Sequence, residues 1–261
     1  MDERIKNTVV LAAKEAGKIL MQNFGRHYNV RVKEPREIVS DIDLKAEKKI
    51  LSILRKNYPQ YNILSEEFGK ERKKSESTWI IDPLDGTTNY TIRNPFFDIS
   101  IALANGNEVV VGCVYAPVTN ELFYAEKGKG AFLNGKRIKV SNIDSISKSL
   151  LTFCNGKSDF ELERITRIFK ELKPHARDFN QMRAGALELA FVAAGRVEAY
   201  ISNGGKPWDA AAGSLLVKEA GGMATDFSGK GWVFDFDKEI CDILASNKKI
   251  HKEILKIVNK L

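Results

Sequence analysis

The sequence predicts an α/β protein of the α+β type, and three observations carry that expectation. A helical apolar period opens the chain, closely spaced strand patterns fill its middle, and strands alternate with helices towards its end. The opening helix rests on Ile5, Val9, Ala12, Ala16, Ile19 and Leu20. A second helix is expected over 44–57, ended by Pro59, with Leu44, Leu51, Leu54 and Tyr58 on one face. Strand-like runs follow at 62–64, 79–81, 98–104, 109–115 and 122–125. The dipeptides Asn105-Gly106 and Asn134-Gly135 lie between apolar runs and favour antiparallel hairpins. Beyond residue 145 the strand candidates at 150–153, 197–201, 223–225 and 243–245 alternate with helices near 159–172, 184–194, 209–220 and 248–260. An N-terminal αβ half, 1–145, and a C-terminal αβ half, 146–261, are therefore expected. No low-complexity linker separates them, so they should share an interface and act as one unit.

A chain of 261 residues, 43% of them hydrophobic, can bury a substantial core. Its longest apolar stretches fall far short of the roughly 20 residues that span a membrane. No apolar region with a small-residue cleavage site follows Met1-Asp2-Glu3-Arg4, so no secretory signal is expected. Cys113, Cys154 and Cys241 are odd in number and lack CxxC spacing, which argues against a disulfide framework or a zinc site and fits the cytoplasm. The net charge of +7 admits nucleic acid or a small anionic substrate. Yet the lysines mostly stand beside glutamates, as in 44–49 and 251–256, and read as solvated helix faces. The interleaving of aromatic and basic residues that single-strand binders use is missing, which makes nucleic acid an unlikely first partner.

The most informative stretch is Trp79-Ile80-Ile81-Asp82-Pro83-Leu84-Asp85-Gly86-Thr87-Thr88-Asn89-Tyr90. An apolar strand runs into two aspartates, and Pro83 and Gly86 require a turn there. Carboxylates that converge on one point repel each other unless a cation lies between them, and such hard oxygen ligands suit Mg²⁺. Ser65-Glu66-Glu67 closes a short strand, and Pro207-Trp208-Asp209-Ala210-Ala211-Ala212-Gly213 places an aspartate at a helix start. His27, His175 and His251 lie outside every motif, so a histidine-based mechanism has little support.

The DPLDGTTN string, the paired glutamates before it, WDAAAG and the segment 218–229 together resemble the inositol monophosphatase family. The resemblance covers almost the whole chain and implies a layered αβαβα sandwich, usually a homodimer. Its first sheet would be mixed or antiparallel and its second sheet C-terminal. It further implies a Mg²⁺-dependent phosphatase whose substrate is a small phosphate ester, first inositol 1-phosphate. Fructose 1,6-bisphosphate or a broad range of sugar phosphates is the alternative within the enzyme class, and an RNA or transcription-complex partner is the alternative outside it. On that resemblance Glu66, Asp82 and the Leu84 carbonyl hold one ion, and Asp82, Asp85 and Asp209 a second. Asp43 and Thr87, with Glu66, would activate the attacking water. Asp85, Gly86, Thr87, Arg183 and Asp209 would bind substrate. Lys33-Glu34-Pro35-Arg36-Glu37 matches the family's mobile loop, and Lys33, Glu37 and Glu67 are the candidates for closing the site or recruiting a third ion. The family glutamate that favours inositol is Ser202 here, and Arg183 replaces a small residue, so a second anionic group on the substrate is expected to gain.

Overall fold

The computed structural model describes residues 3–34 and 37–260. The chain opens with α1 (Glu3–Asn23), the ribbon β1 (Val30–Glu34) and β2 (Glu37–Ser40), and α2 (Asp41–Asn57). Then come β3 (Asn62–Ser65), β4 (Gly69–Glu71), β5 (Ser77–Asp85), the short α3 (Thr87–Thr91), β6 (Asp98–Asn105), β7 (Glu108–Ala116), β8 (Glu121–Glu126), β9 (Gly130–Leu133) and β10 (Lys136–Arg137). The remainder is β11 (Leu150–Asn155), α4 (Asp159–Leu172), β12 (Asp178–Asn180), α5 (Gly185–Ala193), β13 (Ala199–Gly205), α6 (Pro207–Glu219), β14 (Met223–Thr225), β15 (Cys241–Ser246) and α7 (His251–Val258).

Two mixed sheets result. The larger runs β10-β9-β8-β7-β6-β5-β3-β4, antiparallel except where β3 meets β5. The smaller runs β12-β11-β13-β15-β14, with β11 parallel to both its neighbours. Successive strand side chains face opposite ways, and the core follows that period. Trp79, Ile81, Ile101 and Leu103 pack under α1 and α2, whereas Ile80, Ala102 and Ala104 face α5 and α6. The far side of the smaller sheet packs Leu151, Ile201 and Leu244 against α4 and α7. The order of layers is therefore α, β, α, β, α. Small residues let the middle layer sit close: a side chain at Gly112 on β7 would meet the Ala212 carbonyl oxygen of α6 at 2.6 Å.

Four expectations need correction. The second helix begins at Asp41 rather than Leu44, because Ser40 and Asp43 form a reciprocal cap that starts it earlier. Leu44 does not share the buried face; Ile42, Ala46, Ile50, Leu51 and Leu54 do. The strand through Trp79 does not turn at Pro83 but continues to Asp85. Residues 30–34 and 37–40, read partly as a loop, pair as a two-stranded ribbon, and Pro35 and Arg36 lie outside the described residues.

Candidate active site

The pairing of β5 with β6 explains how two aspartates three residues apart reach one point. On a regular strand that spacing would send them to opposite faces. Here Asp82 pairs with Ser100 and Asp85 with Asp98, so three steps on β5 span two on β6. The extra residue is a bulge at Pro83, which has no amide hydrogen to lose, and it restores both carboxylates to the same side. The chain then turns at Gly86, whose φ of +90° opens α3 and whose missing side chain leaves room for the Phe96 and Arg183 carbonyls.

Asp209 arrives from the first turn of α6. The Lys206 amide donates to its Oδ2 at 3.1 Å, and Ser100 Oγ donates to the Trp208 carbonyl at 3.1 Å, fastening that helix end beside the bulge. Asp82, Asp85 and Asp209 then offer ligand atoms that all lie within 4.8 Å of one another. Glu66 stands next to them after β3. Its loop is held by Glu47, which accepts hydrogen bonds from Ser65 Oγ, the Phe68 amide at 2.8 Å and the Glu67 amide at 3.1 Å. Glu47 had read as part of a solvated helix face; it is buried and shapes the site instead.

Burial and mutual repulsion oppose ionisation throughout the cluster. Burial first and Asp209 second push Asp85 up to about 7, and burial raises Asp209 to about 6. Asp82 and Glu66 are raised well above the ordinary carboxylate range by burial and by their acidic neighbours. Beneath Asp85 lies Asp98, fully buried, whose two oxygens have no hydrogen-bond donor among the described residues. Backbone amides at the start of α5 offset part of this charge at Asp85, Ala186 donating to Oδ2 at 2.7 Å with Gly185 beside it. Such crowding of unpaired oxygen ligands is the chemistry of a cation site.

Thr87 Oγ1 lies 3.0 Å from Asp43 Oδ1 and 3.1 Å from the Leu84 carbonyl. Asp43 is buried, and its other oxygen accepts from the amide of Ser40 at 3.0 Å and from its hydroxyl. The cleft above this pair, about 190 Å³, is lined by Glu66, Asp82, Leu84, Asp85, Gly86, Thr87 and Asp209 at one end. Arg183, Lys157, Lys206, Gln181 and Asn155 line the other parts of its wall. Arg183 is exposed and has a φ of +64°, an unusual conformation for a side-chain-bearing residue. Its segment is stapled to the turn by Asn89 Nδ2, which donates to the Met182 and Phe96 carbonyls at 2.7 Å each.

The family profile of the inositol monophosphatases matches residues 1–261. The chain belongs to the inositol monophosphatase family. It is 40% identical over 249 residues to the fructose-1,6-bisphosphatase/inositol-1-monophosphatase of Thermotoga maritima, covering 95% of this chain and 93% of that one. It is 40% identical over 227 residues to the Nus factor SuhB of Escherichia coli K12, covering 85% of each. A solved inositol monophosphatase structure from Thermotoga maritima superposes with a TM-score of 0.89 at 37% identity, covering 99% of this chain and 98% of that one.

For a member of this family, the structure brings Glu66, Asp82, Leu84, Asp85, Gly86, Thr87, Arg183 and Asp209 to one cleft, with Asp43 directly behind Thr87. The ribbon candidates divide. Glu37 lines the cleft, while Lys33 donates to Glu67 Oε2 and to the Glu66 carbonyl, both at 3.1 Å. Ser202 is buried in β13 and does not line the cleft. Besides Glu47, three groups escaped the sequence reading: Asp98, Lys157 and Lys206. Asp98 left a signal, an acid opening an otherwise apolar strand. Lys157 is joined to Glu37 Oε2 at 2.5 Å, closing the ribbon onto the loop after β11, which no local pattern announces. No described helix is long and apolar enough to cross a membrane.

Proposed function

We propose that this protein hydrolyses small phosphate monoesters with Mg²⁺, inositol 1-phosphate being the first substrate. The observation that carries the reading is the convergence of Asp82, Asp85 and Asp209 within 4.8 Å, unpaired with any basic side chain among the described residues, beside a Thr87–Asp43 pair. Glu66, Asp82 and the Leu84 carbonyl would hold one ion and Asp82, Asp85 and Asp209 another, with Asp82 shared. Bound there, Mg²⁺ supplies Lewis acidity towards the phosphoryl oxygens and lowers the pKa of the attacking water.

The chain's own groups do the rest. The Thr87 hydroxyl has one proton and two neighbouring acceptors, and the charged Asp43 oxygen is the stronger. Donation to Asp43 leaves the Leu84 carbonyl free as a ligand and turns a Thr87 lone pair towards the water. The water's proton passes to Thr87 Oγ1 as the threonine proton moves to Asp43 Oδ1. Burial raises the Asp43 pKa, which makes it a better proton acceptor than an exposed aspartate.

At the cleft's opposite wall the exposed Arg183 favours a second anionic group, which supports fructose 1,6-bisphosphate as the second reading. The name of the Thermotoga maritima relative points the same way. The SuhB relative raises a transcription role, but an intact cluster with its threonine and aspartate supports an enzyme. A panel of phosphate esters assayed with Mg²⁺, including both candidates, tests the proposal. Turnover of inositol 1-phosphate is expected, and absence of hydrolysis across the panel would overturn it.

A further inference from the structure

Gln181 and Asn155, both half-buried, meet on the wall of the cleft. Gln181 Nε2 donates to Asn155 Oδ1, and Asn155 Nδ2 donates to the Gly156 carbonyl at 3.0 Å. A side-chain amide has two N–H donors and a carbonyl oxygen with two lone pairs. After these two bonds Gln181 keeps its whole carbonyl and one N–H, and Asn155 keeps one N–H and one lone pair; no other hydrogen bond claims them among the described residues. The pair is also held still. Asn155 ends β11 in register with Asn203 of β13, and the Met182 carbonyl beside Gln181 accepts from Asn89 Nδ2 at 2.7 Å. Fixed polar groups with spare capacity on the wall of a cleft are the means by which a site orients its ligand.

We propose that Gln181 and Asn155 determine specificity by binding neighbouring hydroxyls on the organic part of the substrate, which restricts the substrate class to phosphate esters of polyols. Neither amide carries charge, so a second phosphate gains little from them. Adjacent hydroxyls, each able to give and to take a hydrogen bond, fit them: one donates to Gln181 Oε1 while its neighbour accepts from Gln181 Nε2 or Asn155 Nδ2. A cation site grips the phosphate alone and is indifferent to what the phosphate is attached to, so the discrimination falls to the amide pair. This role rests on the phosphomonoesterase reading.

Steady-state kinetics of the full chain with Mg²⁺ on inositol 1-phosphate and on cyclohexyl phosphate, the same ring without hydroxyls, tests this. The wild type should prefer the hydroxylated ester. Gln181→Met/Asn155→Leu keeps size and removes the amides, so it should lower that preference in kcat/KM at least about tenfold, the loss expected when substrate hydroxyls lose their partners. Gln181→Met alone should shift the preference less and in the same direction, and it decides the matter if circular dichroism shows the double variant unfolded. Equal losses on the two esters, or a wild type without preference, overturn the hydroxyl role. A wild type that cleaves no ester overturns the phosphatase reading alone. The same esters are then compared by isothermal titration, where the preference in Kd should fall by the same factor in the variant, and an unchanged preference overturns the amide pair.

Discussion

Two buried polar groupings in this protein are finished in opposite ways. Around His251, Nδ1 meets Ser246 Oγ at 2.8 Å and Nε2 meets Thr225 Oγ1 at 3.0 Å. Both ring nitrogens are occupied by neutral partners, and burial lowers the imidazole to about 4, so it stays uncharged. Around Asp82, Asp85, Asp209 and Glu66 the neighbours are more acids, and no lysine or arginine side chain forms an ion pair with them among the described residues. A polar group that only holds the fold is completed by the protein itself. One that acts is left for a ligand to complete, at a cost in stability when the ligand is missing.

The largest expected effect comes from Asp85→Asn, which keeps the shape and removes one charge. Turnover should fall at least about 10²- to 10³-fold, the loss typical of one preorganised electrostatic contact. Stability in chelator should move the other way. The folded pKa of Asp85, about 7, lies above its ordinary value, so its contribution is complete below roughly pH 4 and is lost as pH rises through the folded value. Thermal melts of the chelated wild type should therefore worsen towards neutral pH, and the variant should flatten that decline. Equal melts at every pH would break the comparison from the cluster's side.

Thr87→Val comes next. Removing the hydroxyl proposed to link water to Asp43 should lower kcat by about 10²- to 10⁴-fold, with Thr87→Ser keeping most of it. A valine enzyme with wild-type kcat would remove Thr87 from the proton path.

Much of this site was legible because its ligands come in local strings. DPLDGTTN carries two of the carboxylates and WDAAAG one, each string with its own backbone punctuation, and the short strand before Glu66 sets the fourth. What stayed hidden depends on distant partners. Glu47 looks like any glutamate in a lysine-rich helix until the loop after β3 folds onto it. Asp98 acquires meaning only through the strand register that sets it opposite Asp85. The bulge at Pro83 was hidden for a similar reason: proline reads as a strand breaker, yet a bulge lets the strand continue past it.

Arg183→Ala should have a smaller and selective effect, about 1.5 to 3 kcal/mol in kcat/KM for fructose 1,6-bisphosphate and little for inositol 1-phosphate. Steady-state kinetics on both esters decides it, and equal losses would remove Arg183 as the source of discrimination. The smallest effect on activity belongs to His251→Ala, which should leave kcat unchanged while costing about 1 to 3 kcal/mol of stability, because Ser246 and Thr225 lose their partner. Its lowered pKa contributes stability above the ordinary value of 6.5 that is lost as pH falls through about 4. The variant's melting temperature should accordingly depend less on pH along the acid limb. An unchanged acid limb would contradict the neutral, satisfied histidine.

The most direct test of the central claim is removal and return of the divalent cation. Excess chelator should abolish phosphatase activity and Mg²⁺ should restore it. Without substrate, Mg²⁺ should also raise the melting temperature more at about pH 8, where the cluster is ionised, than at about pH 5, where protons compete for the same oxygens. Full activity in excess chelator, or a melting temperature indifferent to Mg²⁺ at both pH values, would contradict the account.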